Sequence, residues 1–249
     1  MAAQSRSGKR VAVVQSNYIP WKGYFDLINY VDEFILYDEV QYTRRDWRNR
    51  NQIKTPKGLE WITVPVEVKG NYHAPIHDIR IADSTWGRRH WATLAHNYAR
   101  APYFRQYKDL LEPAFVDARE THLSPLNRRL LELVCGLLGI RTPLSCSSQY
   151  PSGGDRNERL LRLCKAAGAG VYLSGPAAKG YLDEGLFAAE GIAVEWMDYS
   201  GYPEYPQLYG PFQHTVTVLD LLLNTGTEAP RFMKSFGPSR PAAGAGVRA

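Results

Sequence analysis

The sequence predicts an α/β fold of Rossmann-like type, with a mainly parallel sheet, helices on both faces and a small β excursion. Three observations carry this. Residues 11–14, Val-Ala-Val-Val, are a continuous apolar run, the pattern of a strand buried on both faces. A polar turn, a helix-spaced stretch and a second strand over 32–38, ending on the carboxylate of Asp38, complete a β-loop-α-β opening. The same alternation of short β runs and helical patterns returns in the second half of the chain.

The first helix is expected at 23–31, where Phe25, Leu27 and Ile28 fall on one face. Runs at 61–66 and 76–81, connected through Gly70 and Asn71, read as the smaller β excursion. Helical spacing follows at 85–98, 104–115, 125–138 and 156–167. Asp155 with Glu158 three residues later forms a capping-box start for the fourth of these, and Gly168 suits its stop. A strand at 171–173, a helix at 184–189, a strand at 192–196 and a closing helix at 216–224 finish the domain, which is expected to span 10–227. Residues 1–9 and 228–249 are expected to be disordered tails, the second because its Pro-, Gly- and Ala-rich end has little apolar surface to bury.

At 249 residues and 44% hydrophobic, the chain has ample material for one core. The net charge of +5 does not make the domain a nucleic-acid binder. Residues 1–10 and 228–249 each carry +3, which leaves 11–227 at −1. No duplex nucleic-acid partner is expected. No apolar run reaches the roughly 18 residues of a membrane span, and the first ten residues lack the apolar stretch of a secretory signal. A cytoplasmic protein without a membrane partner is therefore expected. The three cysteines show no CxxC spacing. Cys135 and Cys164 sit on apolar helical faces and read as buried structural thiols, and Cys146, with polar neighbours, is read the same way. The six histidines form no HExxH or similar set, so neither a metal site nor a cofactor is expected. No G-x-S-x-G nucleophile elbow occurs.

Candidate site residues cluster after strands, where open α/β sheets bind ligands. Gln15, Asn17, Tyr18 and Trp21 follow the first strand, and amides there can donate and accept toward a carbonyl or phosphate. Gly23 opens the next helix, whose N–H groups could meet an anion. Asp38 and Gln41 end the second strand, and a carboxylate at that place suits a general base. The run 44–51 interleaves arginines with Trp47, Arg50 and Asn51, a composition suited to phosphate contact and base stacking or to a solvated loop. Lys179, Tyr181 and Asp183 follow a later strand without the spacing of a P-loop. Tyr205 and Gln207 belong to an aromatic-proline loop that reads as a pocket lid or as a cover over a sheet edge.

Five separated segments resemble the WbqC-like protein family: 15–26 (QSNYIPWKGYFD), 34–42, 47–54, 172–183, and the ending Tyr205-Pro206-Gln207-Leu208-Tyr209 with Leu219-Asp220 and Asn224-Thr225-Gly226. Many members of that family begin with His-Gln-Pro-Asn-Tyr. Here Val14 stands at the His position and Ser16 at the Pro position, while Gln15, Asn17 and Tyr18 match. The resemblance implies an acyl or aminoacyl (glycine-type) transferase forming an amide on an amino sugar or similar small-molecule amine. Its donor would be a carrier-protein thioester, CoA or aminoacyl-tRNA. In that reading Gln15, Asn17 and Tyr18 orient the substrate, Asp38 is the base, and Arg50 and Lys179 hold an anionic donor or sugar nucleotide. Two alternatives stand beside it. One is an adenylating nucleotidyltransferase-like enzyme, although Trp21-Lys22-Gly23-Tyr24 replaces its HxGH signature; the other is a non-catalytic metabolite- or carrier-binding protein.

Overall fold

The computed structural model describes residues 8–70 and 73–237. Its central feature is a five-stranded parallel sheet built from β1 (Lys9–Val14), β2 (Glu33–Leu36), β5 (Leu144–Cys146), β6 (Ala169–Ser174) and β7 (Ala193–Trp196). The spatial order is β5-β2-β1-β6-β7. By order of appearance that is third, second, first, fourth, fifth, the doubly wound Rossmann-like arrangement, and the winding reverses between β1 and β6. A separate antiparallel hairpin pairs β3 (Arg50–Thr55) with β4 (Gly58–Thr63).

Alternation along each strand builds two cores. Val11, Val13, Ile35 and Tyr172 face one side and pack with Leu160, Leu163 and Cys164 of α5 (Arg156–Ala166) and Phe187 of α6 (Glu184–Ala189). Ala12, Phe34, Leu36 and Leu173 face the other side. They meet a thicker layer made of α1 (Lys22–Asn29), α2 (Trp86–Tyr98), α3 (Phe104–Val116), α4 (Leu123–Leu138) and α7 (Val218–Thr225). Burial on both faces explains the unbroken apolar run at 11–14. Asp155 caps α5 as its sequence predicts, accepting from Asn157 N–H (2.8 Å) and Glu158 N–H (2.9 Å), and Gly168 follows the helix at φ +71°. Among the described residues no helix is long and apolar enough to cross a membrane.

Three expectations need correction. Strand β3 starts inside the run 44–51, which reads in the sequence as an anion-contacting segment or a solvated loop, and its Asn51, Ile53, Lys54 and Thr55 are buried with their polar groups satisfied internally. Residues 76–81 form no strand. Ile76–Asp78 is a 3-10 turn, and its surroundings make only isolated bridges such as Val66 with Ile81. The domain is also wider than 10–227. Lys9 opens β1, where its amine meets Glu33 (2.7 Å). At the other end the 3-10 stretch Gly226–Phe232 buries Ala229, and Met233 joins the core. The expected tails at 1–7 and 238–249 lie outside the described residues.

The C-terminal segment is fastened to α1 by one buried carboxylate. Lys234 N–H donates to Asp26 Oδ2 (2.9 Å) and Ser235 N–H to Asp26 Oδ1 (2.9 Å). The Ser235 hydroxyl donates to Asp26 and accepts from Asn29 Nδ2 (3.0 Å). Asp26 has no exposed surface, so each lost donor leaves charge unsatisfied in an apolar setting. Ser235→Ala is expected to cost about 1–3 kcal/mol, with a fall in Tm of roughly 2–4 °C per kcal/mol. An unchanged thermal melt would show that the clasp contributes nothing.

A second fastening joins the turn after β1 to the hairpin. The Tyr18 hydroxyl lies 2.7 Å from His90 Nδ1, and His90 Nε2 lies 3.1 Å from the Thr63 carbonyl. A carbonyl only accepts, so Nε2 carries the proton and Nδ1 accepts from the phenol. Burial pushes His90 down to about 4, partly opposed by its bond to Thr63. The folded value lies below the ordinary 6.5, so the unfolded chain binds the extra proton first. Stability is expected to fall as pH drops from about 6.5 toward 4, by a few kcal/mol. Urea melts across that window should show the slope for the wild type and a flatter one for His90→Gln, which stays neutral.

Candidate active site at the sheet switch point

A cavity of about 650 Å³ opens at the carboxyl edge of the sheet, where the winding reverses between β1 and β6. Gln15 enters from the end of β1, Ser174 and Gly175 from β6, and Tyr37 and Glu39 from the chain leaving β2. Gln41 and Thr43 form one wall. Arg156 and Arg159 reach it from the first turns of α5. Tyr24 fixes the approach, its hydroxyl donating to the Gln15 carbonyl (2.9 Å).

The electrostatics favour an anionic group. The first N–H groups of α5 are already taken by the Asp155 side chain, so the helix terminus itself offers little to a ligand. The guanidinium groups supply the positive charge instead. Arg159 donates to the Gly154 carbonyl (3.2 Å), but its buried Nε has no partner among the described residues. A buried N–H left unpaired is costly and marks a place for an acceptor. Arg156 lies over the Tyr181 ring at 4.6 Å, which gives the cavity a flat cationic flank. Burial raises the Tyr37 phenol, with Arg159 partly opposing, so Tyr37 is a neutral donor. Among the described residues, Glu39 is the one carboxylate lining this cavity.

The sequence-predicted residues are divided among several places. Gln15, Gln41 and Tyr181 line the switch-point cavity. Asp38 does not. It lines a neighbouring cavity of about 390 Å³ with His77, His122, Ser124 and Cys146, and Glu39 borders both. Asp38 is buried, and both its oxygens are engaged: Oδ1 accepts from Ser16 N–H (2.8 Å) and Oδ2 from the Ser124 hydroxyl. Asn17, Trp21, Trp47 and Asn51 line a third, mainly apolar cavity of about 200 Å³. Arg50 lies in a separate basic groove. Lys179 stands exposed over the Trp196 ring at 5.6 Å, and Asp183 caps α6 by accepting from Leu186 N–H (3.2 Å).

Several of these side chains are held in the fold itself. Asn51 donates to the Tyr18 (3.1 Å) and Ile19 (2.8 Å) carbonyls, which supports Ile19 at φ 34°. Tyr18 is buried against His90. Tyr205 and Gln207 donate to the buried Asp220 carboxylate (both 2.7 Å), which also accepts from Tyr98 (2.8 Å). Lys22 donates to the Pro203 carbonyl (2.9 Å) beneath the rings of Tyr202 and Tyr205, and burial lowers it to about 8. The aromatic-proline loop is thus anchored as a cover. The N-terminus of α1 is closed to an anion, because the Trp21 ring folds over Gly23 and any Cβ there would collide with it.

The cysteines behave as expected of buried thiols at two positions. Burial raises Cys135 to about 12 and Cys164 higher. Cys146 is half-buried, and Arg128 Nη1 donates to its sulfur at 3.1 Å. Arg156, Arg159 and Glu39 did not stand out in the sequence. The two arginines sit inside an ordinary amphipathic helix pattern, and only the sheet order brings that helix end to the switch point. No group of three or more His, Cys, Asp or Glu side chains with metal-binding geometry occurs among the described residues.

Comparison with known proteins agrees with the sequence resemblance. The uncharacterized protein Rv1507c of Mycobacterium tuberculosis (strain ATCC 25618 / H37Rv) is 52% identical over 226 residues, covering 91% of this chain and 98% of that protein. No solved structure matches. The model of the WbqC-like protein family matches residues 15–232, and the chain belongs to that family.

Proposed function

We propose that the protein transfers an acyl or aminoacyl group onto the amine of a phosphorylated amino sugar, or a similar small amine, bound in the switch-point cavity. The observation that carries this reading is the lining of that cavity, which combines two guanidinium groups, two amide side chains and a single carboxylate. Arg156 and Arg159 suit a phosphate, since guanidinium forks match its oxygens. Gln41 and Ser174 suit sugar hydroxyls, and the Gln15 amide can donate to an acyl oxygen as negative charge develops there.

Glu39 takes the role of base that the sequence suggests for Asp38. Proton acceptance needs a lone pair directed at the substrate, and Asp38, bonded to Ser16 and Ser124, lines the neighbouring cavity and not this one. In the step proposed, the amine nitrogen forms a C–N bond to the acyl carbon. The bond from that carbon to the donor sulfur or oxygen breaks, its electron pair leaves on that atom, and Glu39 accepts the proton the nitrogen loses. Asp38 is a positioning residue, setting the turn that carries Gln15.

The test is amide formation, followed by mass spectrometry, from a nucleotide-linked amino sugar with glycyl-tRNA or a glycyl thioester of CoA. Glu39→Gln is expected to lower turnover by roughly two to four orders of magnitude and to leave sugar-nucleotide affinity nearly unchanged. Arg159→Gln should weaken that affinity. Full turnover in Glu39→Gln would remove the base assignment, and failure of any nucleotide-linked amino sugar to bind would remove the acceptor.

A further inference from the structure

A second site lies behind the wall of the switch-point cavity. Residues 41–69 carry seven lysines and arginines against three carboxylates, in a domain that is otherwise negative. The fold gathers part of this charge into a groove of about 510 Å³. Arg44, Arg45, Arg50 and Lys69 line it, and none of its lining residues is a carboxylate. Like charges gathered on one surface repel, and an anion in the groove relieves that cost. Arg50 adds an independent sign, since its buried Nε has no hydrogen-bond partner among the described residues.

An aromatic platform adjoins the cations. Trp47 and Trp61 are exposed large hydrophobic side chains, and their rings lie 5.1 Å apart. The Arg50 guanidinium lies over the Trp61 ring at 4.1 Å, so one arginine belongs to both the groove and the platform. Exposed indoles beside guanidinium groups hold a flat π-system linked to phosphates, because any base can stack on an indole while the cations take the backbone charge. The groove and the cavity share a single stretch of chain. Gln41 and Thr43 face the cavity, and Tyr42, Arg44 and Arg45 face the groove.

From these features we infer that the groove binds the phosphorylated terminal nucleotide of the acyl donor, its base on Trp61 and Trp47 and its phosphates on Arg45, Arg50 and Lys69. This rests on the transfer reading above and names the chemistry of its donor. A nucleotide joined to phosphates ends both coenzyme A and the acceptor stem of a tRNA. The proposal concerns that shared chemistry.

Binding is measured without turnover, by quenching of tryptophan fluorescence in the full-length protein. The titrants are coenzyme A, a tRNA acceptor-stem minihelix ending in CCA, and inorganic pyrophosphate. At least one of the first two is expected to bind and quench, with pyrophosphate much weaker. Trp61→Ala should weaken binding about tenfold or more. Arg45→Gln with Lys69→Gln should weaken it and flatten its salt dependence. These side chains lie at the surface groove, and matching melting curves confirm that the variants fold. If only the minihelix binds, the donor is a tRNA; if only coenzyme A binds, it is a thioester. The proposal is overturned if neither binds, if pyrophosphate binds equally well, or if the variants bind like the wild type. Sugar-nucleotide affinity and its Arg159→Gln dependence are read separately, so a failed groove leaves the cavity reading standing, and the converse also holds.

Discussion

The carboxylate of Asp38 sits buried where β2 ends, and the geometry of the whole carboxyl edge depends on what it holds. Its Oδ1 accepts from Ser16 N–H, immediately after β1, and its Oδ2 from Ser124 in the first turn of α4. Asn127, one turn further along α4, donates to the Ser16 hydroxyl (3.0 Å) and to the Arg48 carbonyl (2.9 Å). One charge and one amide therefore join the β1 turn, the β2 end, α4 and the start of the hairpin. A buried carboxylate is tolerated only when its lone pairs are occupied, and here the need for partners itself fixes the loops. The Ser16 position, where many relatives carry proline, gains two roles from this arrangement. Its N–H, which proline lacks, binds Asp38, and its hydroxyl accepts from Asn127.

The sheet order then determines which side chains converge. At a switch point the connections from adjacent strands leave in opposite directions and open a crevice. Here that crevice lies between β1 and β6, with α5 delivering Arg156 and Arg159 to its rim. Because the Asp155 side chain occupies the Asn157 and Glu158 N–H groups at the start of α5, the positive charge at this rim comes from side chains rather than from the backbone. Guanidinium groups read oxygen geometry as well as charge, which suits a phosphate presented in a fixed orientation.

The sheet was legible because burial on both faces leaves an unmistakable apolar run, as at 11–14, and because Asp155 and Gly168 mark the ends of α5 chemically. Strand β3 was not, since its buried residues include Asn51, Lys54 and Thr55. Asn51 and Lys54 are satisfied there by partners distant in sequence, Tyr18, Ile19 and Gln207, that no local pattern reveals. The same reason hid the docking of 228–237, whose anchor, Asp26, belongs to the first helix. The loops carrying the site were recognisable from their polar residues. Which polar residue faces the cavity was not, because Asp38 and Glu39 are adjacent in sequence and differ only in what the fold packs against each. Tyr205 and Gln207 illustrate the converse, polar side chains in a conspicuous motif that are consumed by a buried carboxylate, Asp220.

A single braced stretch of chain divides the cavity from the groove. After the turn at 38–40, side chains along 41–44 alternate between the two sides, Gln41 and Thr43 toward the cavity and Tyr42 and Arg44 toward the groove. The stretch is braced from outside by residues 74–77: Tyr42 N–H donates to the Ala74 carbonyl (2.9 Å), Ile76 N–H to Val40 (3.0 Å) and His77 N–H to Asp38 (3.0 Å). Thr43 closes the run by donating to Asp46 Oδ2 (2.6 Å). Burial raises the Asp46 carboxyl, but the Thr43 bond and the charge of Arg48 outweigh it and hold Asp46 below its ordinary range, ionised. Both the backbone of this stretch and its end are thus held by hydrogen bonds. On the transfer reading proposed above, coenzyme A seated in the groove would carry its acyl group over the Gln41–Thr43 crest on its flexible arm. An aminoacyl-tRNA has its acyl group on the terminal ribose itself, so that ribose would have to sit at the crest between groove and cavity.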